Sequence, residues 1–106
     1  MKVAQGQVWW VNLDPTIGSE IRKTRPAVIV SPDELNAHLN TVVVVPLTRG
    51  RVYPFRIAMQ IRGKDGVAAV DQVRTIDKRR LVRKIKALKP AETRPILNAL
   101  VEMFSS

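Results

Sequence analysis

The chain has 106 residues, 45% of them hydrophobic, enough for one domain over residues 1–106 that buries roughly two-thirds of its unfolded surface around one core. Its 18 Lys+Arg against nine Asp+Glu leave a formal charge of +9, with Arg (eleven) ahead of Lys (seven). Such a surface attracts polyanions by phosphate neutralisation and counterion release, although solubility or an acidic protein partner would satisfy the same field, and the absence of cysteine excludes a disulfide framework and a thiolate site.

Residues 1–7 are not followed by the apolar stretch of a secretory signal, and the longest apolar run, around residues 42–47, is too short to span a bilayer. A cytoplasmic protein without a membrane segment is the expectation. Residues 8–13, with Trp9 and Trp10 among β-branched neighbours, read as a first strand ending at Asp14-Pro15. The two tryptophans point to opposite faces, so at least one belongs to the core. Residues 16–24 form a long polar loop of the kind that carries function.

Pro26 opens a second strand over residues 26–30. Ser31-Pro32-Asp33-Glu34 has the pattern of a capping box, predicting a short helix over about residues 32–37. Residues 42–47 read as a central strand buried on both faces, broken at Gly50. A fourth strand follows over residues 54–61, then a hairpin turn at Gly63-Lys64-Asp65-Gly66 and a strand over residues 67–73. Residues 75–81 look like a capped helical turn, and residues 82–88 like an amphipathic strand in which Lys and Arg alternate with apolar residues. Ile96, Leu97, Leu100, Val101 and Phe104 share one helical stripe. Thr93 as N-cap places Pro95 in the first turn; a start at Pro90 would put Pro95 inside the helix. Short strands plus one C-terminal helix predict a mainly β fold, a small, strongly curved barrel.

His38 is the only histidine, and no carboxylate pair has metal-ligand spacing, so neither a metal nor another cofactor is expected. A Ser-His-Asp relay lacks its nucleophile elbow, and no glycine-rich phosphate loop is present. RNA cleavage asks less of a protein, because the 2′-hydroxyl is itself the nucleophile. The remaining tasks are proton removal, stabilisation of the phosphorane and departure of the 5′-oxygen. Arg25 offers a permanently charged fork of donors, Thr48 one more donor, and Glu20 the nearest candidate base. Read singly, Arg25 is a surface charge beside a strand, Thr48 a turn residue and Glu20 a solvated loop acid. Asp71 and Gln72 could equally bind backbone at a strand end.

Taken in order, Leu13-Asp14-Pro15-Thr16, Gly18-Ser19-Glu20, Arg25-Pro26-Ala27-Val28, Val45-Pro46-Leu47-Thr48, Tyr53-Pro54-Phe55 and Asp65-Gly66-Val67-Ala68 leading into Asp71-Gln72-Val73-Arg74 resemble the MazF/PemK (Kid-like) toxin family, on its MazF branch. The resemblance covers residues 6 to about 81. It implies an SH3-like barrel that forms a homodimer and cuts single-stranded mRNA at short motifs without metal, leaving a 2′,3′-cyclic phosphate and a 5′-hydroxyl. It implies Arg25 and Thr48 as the main catalytic pair, with Glu20 in support. RNA contacts are expected from Ser19, Lys23, Arg49, Tyr53, Phe55, Gln72 and Arg74. An acidic, MazE-like antitoxin is the implied protein partner, with operator DNA reached only through it. The Kid/PemK branch uses a histidine, an arginine and an aspartate; the matching positions here hold Ser19, Ala69 and Asp71, which makes Asp71 structural in this reading. Two alternatives stay open: a non-catalytic RNA-binding barrel with aromatic stacking platforms, and an inhibitor like the gyrase-poisoning toxin of the same fold, although Met103-Phe104-Ser105-Ser106 lacks that protein's functional end.

Overall fold

A computed structural model describes residues 2–106. The strands are β1 (Gln7–Asn12), β2 (Thr24–Ile29), β3 (Thr41–Thr48), β4 (Arg56–Ile61), β5 (Lys64–Ala69), β6 (Arg74–Asp77) and β7 (Leu81–Ala87), with helices α1 (Asp33–His38) and α2 (Pro90–Met103). All seven strands join one antiparallel sheet in the order β4-β5-β3-β2-β1-β7, with β6 pairing β3 off that path. Met59, Gln60 and Ile61 of β4 share a cavity of ≈ 130 Å³ with Ile85 and Lys86 of β7. The two ends of the sheet therefore curl round toward one another, making a small barrel with an open seam.

Alternation along the strands divides the core in two. Trp9, Val11, Leu13, Ala27, Ile29, Val42 and Val44 fill one side. Val8, Val28, Val45, Leu47, Ala68 and Val70 fill the other, where Ile96 and Ala99 of α2 close over them. The β-branched run of β3 is central, as its sequence predicts: it pairs with β2, β5 and β6.

Several local expectations are corrected. Ser31 does not cap α1; it is buried, its hydroxyl donating to Asn36 Oδ1 at 2.5 Å and accepting the Val43 amide at 3.0 Å. A hydroxyl drawn into a buried bond with a neighbouring strand is unavailable to the helix end, and Pro32 takes the cap position without a side-chain bond. The hairpin turn lies two residues earlier than predicted, at Arg62-Gly63, both with left-handed φ (53° and 78°) as a two-residue turn of this kind requires. Lys64 and Asp65 therefore belong to β5, which ends at Ala69 and passes into a 3-10 turn over Val70–Gln72. The segment predicted as one helical turn over residues 75–81 begins as β6, because Ile76 pairs with Val42 and is buried. Only Lys78–Arg80 is a 3-10 turn, capped by the Asp77 carboxylate accepting the Arg79 amide. α2 starts at Pro90, not at Thr93, so Pro95 is inside it. Glu92 accepts the Lys89 amide at 3.0 Å, and Thr93 faces the core against Gly6, where a Cβ would stand 3.2 Å from its Oγ1. Docking of Thr93 outweighs the backbone bond that Pro95 cannot make.

Candidate active site

Arg25 and Thr48 lie at the ends of neighbouring strands. β2 and β3 pair Ala27 with Pro46 and Val28 with Val45; Arg25 and Thr48 each stand two residues beyond the Ala27–Pro46 pair, where Thr48 pairs with Val67 of β5. Both residues line a cleft of ≈ 430 Å³. Arg25 is half-buried, and Nε donates to the Arg22 carbonyl at 3.3 Å. That bond orients the guanidinium and, among the described residues, leaves its terminal nitrogens for a ligand. Arg49, Arg62 and Lys64 line the same cleft against a single carboxylate, Asp65, which accepts from Gln60 Nε2 at 2.6 Å. The cleft is built for an anion.

Two further residues, Gly66 and Trp10, shape the surroundings of this pair. Gly66 of β5 passes so close that a Cβ would stand 2.9 Å from the Thr48 carbonyl oxygen and 2.7 Å from Ile61 Cδ1; only glycine lets β5 hold the backbone of Thr48 there. Trp10 forms another wall, with the Arg62 guanidinium 5.5 Å from its ring centroid.

Glu20 is not in this cleft. Together with Ser19, Gln72 and Arg74 it lines a second one, of ≈ 530 Å³, which Asp71 and Pro46 also border. Pro46 lies two residues before Thr48, so the end of β3 is the ridge between the clefts. Glu20 Oε1 accepts the Ile17 amide at 2.6 Å, bending its carboxylate onto its own loop. Gln72 fastens that loop from across the chain: its Oε1 accepts the Ile21 amide at 2.7 Å and its Nε2 donates to the Ser19 carbonyl at 3.4 Å. Arg74 donates to the Leu13 carbonyl at 3.1 Å, at the loop's base.

Asp71 accepts a bidentate pair from Arg56, at 2.5 Å from Nε and 2.8 Å from Nη2. Those bonds, opposed by partial burial and helped by the charge itself, hold the Asp71 carboxyl below the ordinary aspartate range and raise the Arg56 guanidinium. Arg56 also lies 5.4 Å from the Tyr53 ring centroid. Of the remaining sequence candidates, Arg49 joins Arg25 and Thr48, whereas Lys23, Tyr53 and Phe55 line neither cleft. Lys23 closes the loop, its amide donating to Asp14 Oδ1 at 3.1 Å and its carbonyl accepting the Leu13 amide at 3.0 Å. Phe55 packs against the second core cluster. Among the described residues no group of three or more His, Cys, Asp or Glu is placed to hold a metal ion. Sequence reasoning passed over Arg56 and Arg62 and read Gly66 only as part of a turn and a motif, because their roles depend on strands that meet only in the fold.

Comparison with known proteins gives a consistent result. Residues 4–104 match the family described as PemK-like, MazF-like toxin of type II toxin-antitoxin system. The chain is 36% identical over 107 residues to endoribonuclease MazF9 of Mycobacterium tuberculosis, covering 91% of each chain. It superposes on MazF from Deinococcus radiodurans with a TM-score of 0.85 at 25% identity, covering 97% of this chain and 96% of that one. An endoribonuclease in complex with its cognate antitoxin from a mycobacterial species gives a TM-score of 0.78 at 28% identity, covering 94% of this chain and 92% of that one.

Proposed function

This chain belongs to the PemK-like, MazF-like toxin family of type II toxin–antitoxin systems, and from that premise we propose how it acts as an endoribonuclease. The substrate is single-stranded mRNA, cut at a short motif without a metal ion. One phosphodiester sits across the ≈ 430 Å³ cleft, its non-bridging oxygens held by the Arg25 guanidinium and the Thr48 hydroxyl. The neighbouring 2′-hydroxyl attacks phosphorus; the 2′-O–P bond forms, the P–O5′ bond breaks, and the 2′ proton is lost as the 5′-oxygen gains one. The products are a 2′,3′-cyclic phosphate and a 5′-hydroxyl. Charge on the phosphorane grows on the oxygens that Arg25 and Thr48 hold, so these donors act more strongly in the transition state than on bound RNA.

Glu20 is the proposed proton acceptor. Its carboxylate now caps the Ile17 amide, so this role requires the loop to turn it over the β3 ridge once RNA binds. Ser19, Lys23, Arg49, Tyr53, Phe55, Gln72 and Arg74 contact the rest of the strand, and the +9 charge draws it in. The same charge fits an acidic antitoxin. Exposed apolar side chains such as Val101 (68%) and Phe104 (74%) support assembly as a homodimer. No helix among the described residues is long and apolar enough to cross a membrane; the mRNA acted on in this reading is cytoplasmic, and its loss arrests growth.

The observation that carries this reading is the convergence of Arg25 and Thr48 on one basic cleft. Purified protein incubated with long single-stranded RNA and EDTA should give discrete fragments bearing cyclic phosphates. Intact RNA with a retarded gel band would instead make the chain a non-catalytic binder.

A further inference from the structure

We propose that Trp10 and Arg62 form a nucleobase-stacking site beside the Arg25–Thr48 phosphate grip, with the Arg62 guanidinium layered between the Trp10 indole and an unpaired base of the substrate. The inference rests on the endoribonuclease reading and names how that same cleft holds the RNA beyond the phosphate.

Trp10 is half-buried in β1 and walls the cleft that contains Arg25 and Thr48. Pro26 of β2 and Arg83 of β7 stand opposite it in the ladder, so the indole has a neighbour on each side and is fixed laterally. Arg62 comes from a different part of the sheet, the turn between β4 and β5, and lies 5.5 Å from the ring centroid. That turn position has φ 53°, a conformation that favours Asn or Gly and that L side chains with a Cβ adopt at a cost. The chain nonetheless carries a planar cation there. Among the described residues Arg62 forms no salt bridge, and the single carboxylate of the cleft, Asp65, is engaged by Gln60.

The Arg62 guanidinium therefore lies over an aromatic ring, on an exposed side chain that lines the cleft. A delocalised planar cation supported in this way stacks on a base and at the same time meets the phosphate field. Stacking strength follows ring area and tolerates sequence, so the site would take any base and favour a purine over a pyrimidine. It would sit at a nucleotide flanking the cut and contribute to binding rather than to the chemical step.

The test uses a short RNA carrying a single 2′-deoxy substitution at the nucleotide that supplies the nucleophile, so that it binds without being cut. Abasic nucleotides are placed one at a time along it, and Kd is measured for the wild type, Arg62→Ala, Arg62→Lys and Trp10→Phe. Arg62 is exposed, so its variants keep the fold. The wild type should lose about tenfold in affinity at one flanking position. Arg62→Ala should lose a similar factor with the intact strand and be insensitive to the abasic site at that position. Arg62→Lys, which keeps the charge without the plane, should behave like Arg62→Ala, and Trp10→Phe should stay close to the wild type. Abasic profiles identical in the wild type and Arg62→Ala, or full rescue by Arg62→Lys, would overturn the stack. Cleavage of the all-ribose strand by the wild type keeps these outcomes separate from the enzyme reading; a wild type that neither cuts nor binds overturns both.

Discussion

The Ile21 amide donates to the Gln72 side-chain oxygen at 2.7 Å across 51 positions of sequence, tying the loop after β1 to the 3-10 turn after β5. The same side chain reaches the Ser19 carbonyl, so one amide group spans the residues around Glu20. Gln72→Ala leaves the partly buried Ile21 amide without its acceptor, a loss of about 1 kcal/mol or somewhat more in local stability. Amide exchange at Ile21 should quicken roughly tenfold while the strands stay protected, and Gln72→Glu, which keeps the acceptor, should restore protection. Unchanged exchange in Gln72→Ala would show that something else orders the loop.

Arg25 and Thr48 belong to different strands and not to a shared loop, so each can be truncated separately. Arg25→Ala removes the charged donor and Thr48→Ala the neutral one. Loss of a single preorganised donor of this type costs about 10²–10³ in kcat, and the arginine should be the larger of the two. Because both are partly exposed at a strand end, the melting temperature should stay near that of the wild type. Single-turnover cleavage with calorimetry on the same samples checks both halves; a variant that retains full cleavage removes its residue from the site.

Gly66 offers a test of position rather than chemistry. In Gly66→Ala the new methyl group would meet Ile61 Cδ1 at 2.7 Å and the Thr48 carbonyl oxygen at 2.9 Å. The Ile61 tip can turn aside, but the Thr48 oxygen belongs to the backbone, so β5 and the end of β3 must separate. Overpacking of this kind costs about 1–3 kcal/mol, and the shift falls on the backbone that carries the Thr48 hydroxyl. Cleavage should fall together with stability, and Gly66→Ala combined with Thr48→Ala should lose less than the two separate losses multiplied. Strict additivity would mean that Gly66 has no hold on Thr48.

The sequence marked β1 to β4 and β7 to within about two residues because each is a β-branched or alternating run bounded by proline, glycine or a polar loop. Its errors share a physical cause. Ser31, the residues of β6 and the start of α2 all carry local signals, for a cap, a helical turn and a later helix start. Each signal lost to a contact made outside its own element: with Asn36 and Val43 for Ser31, with Val42 for Ile76, and with Gly6 and the core for Thr93. The site divides in the same way. Arg25 and Thr48 stand out as a pair through the family resemblance, since their places at strand ends read singly as a surface charge and a turn residue. Placement of Glu20 in the neighbouring cleft was not legible, because it depends on the Ile17 amide and on Gln72 holding the loop. Arg56, Arg62 and Gly66 act across β4, β5 and their turns, and no periodicity or spacing reports a contact between strands.

The Asp71–Arg56 pair gives the fold an acid dependence. Arg56 holds Asp71 in its charged form, so the folded carboxyl titrates below its unfolded value and the folded state binds fewer protons than the unfolded chain on the way down in pH. The stabilisation is thus complete above the unfolded value of about 4 and fades as pH falls through the lower, folded one. Arg56 shifts upward by the same bond, and its share is lost only in strong alkali. The Asp71 side chain is 42% exposed and that of Arg56 14%, so solvent screens the pair and its contribution is about 1 kcal/mol or less. Asp77, held low by Arg79, titrates over the same acid range on the open surface. The wild type alone would not separate the two carboxylates, and the comparison must be with Asp71→Asn. The melting temperature of the wild type should exceed that of Asp71→Asn near neutrality, and the gap should narrow progressively as pH drops below about 4. A gap that persists at the acid end would mean that Asp71 acts through shape or hydrogen bonding that the amide fails to reproduce, and not through its charge.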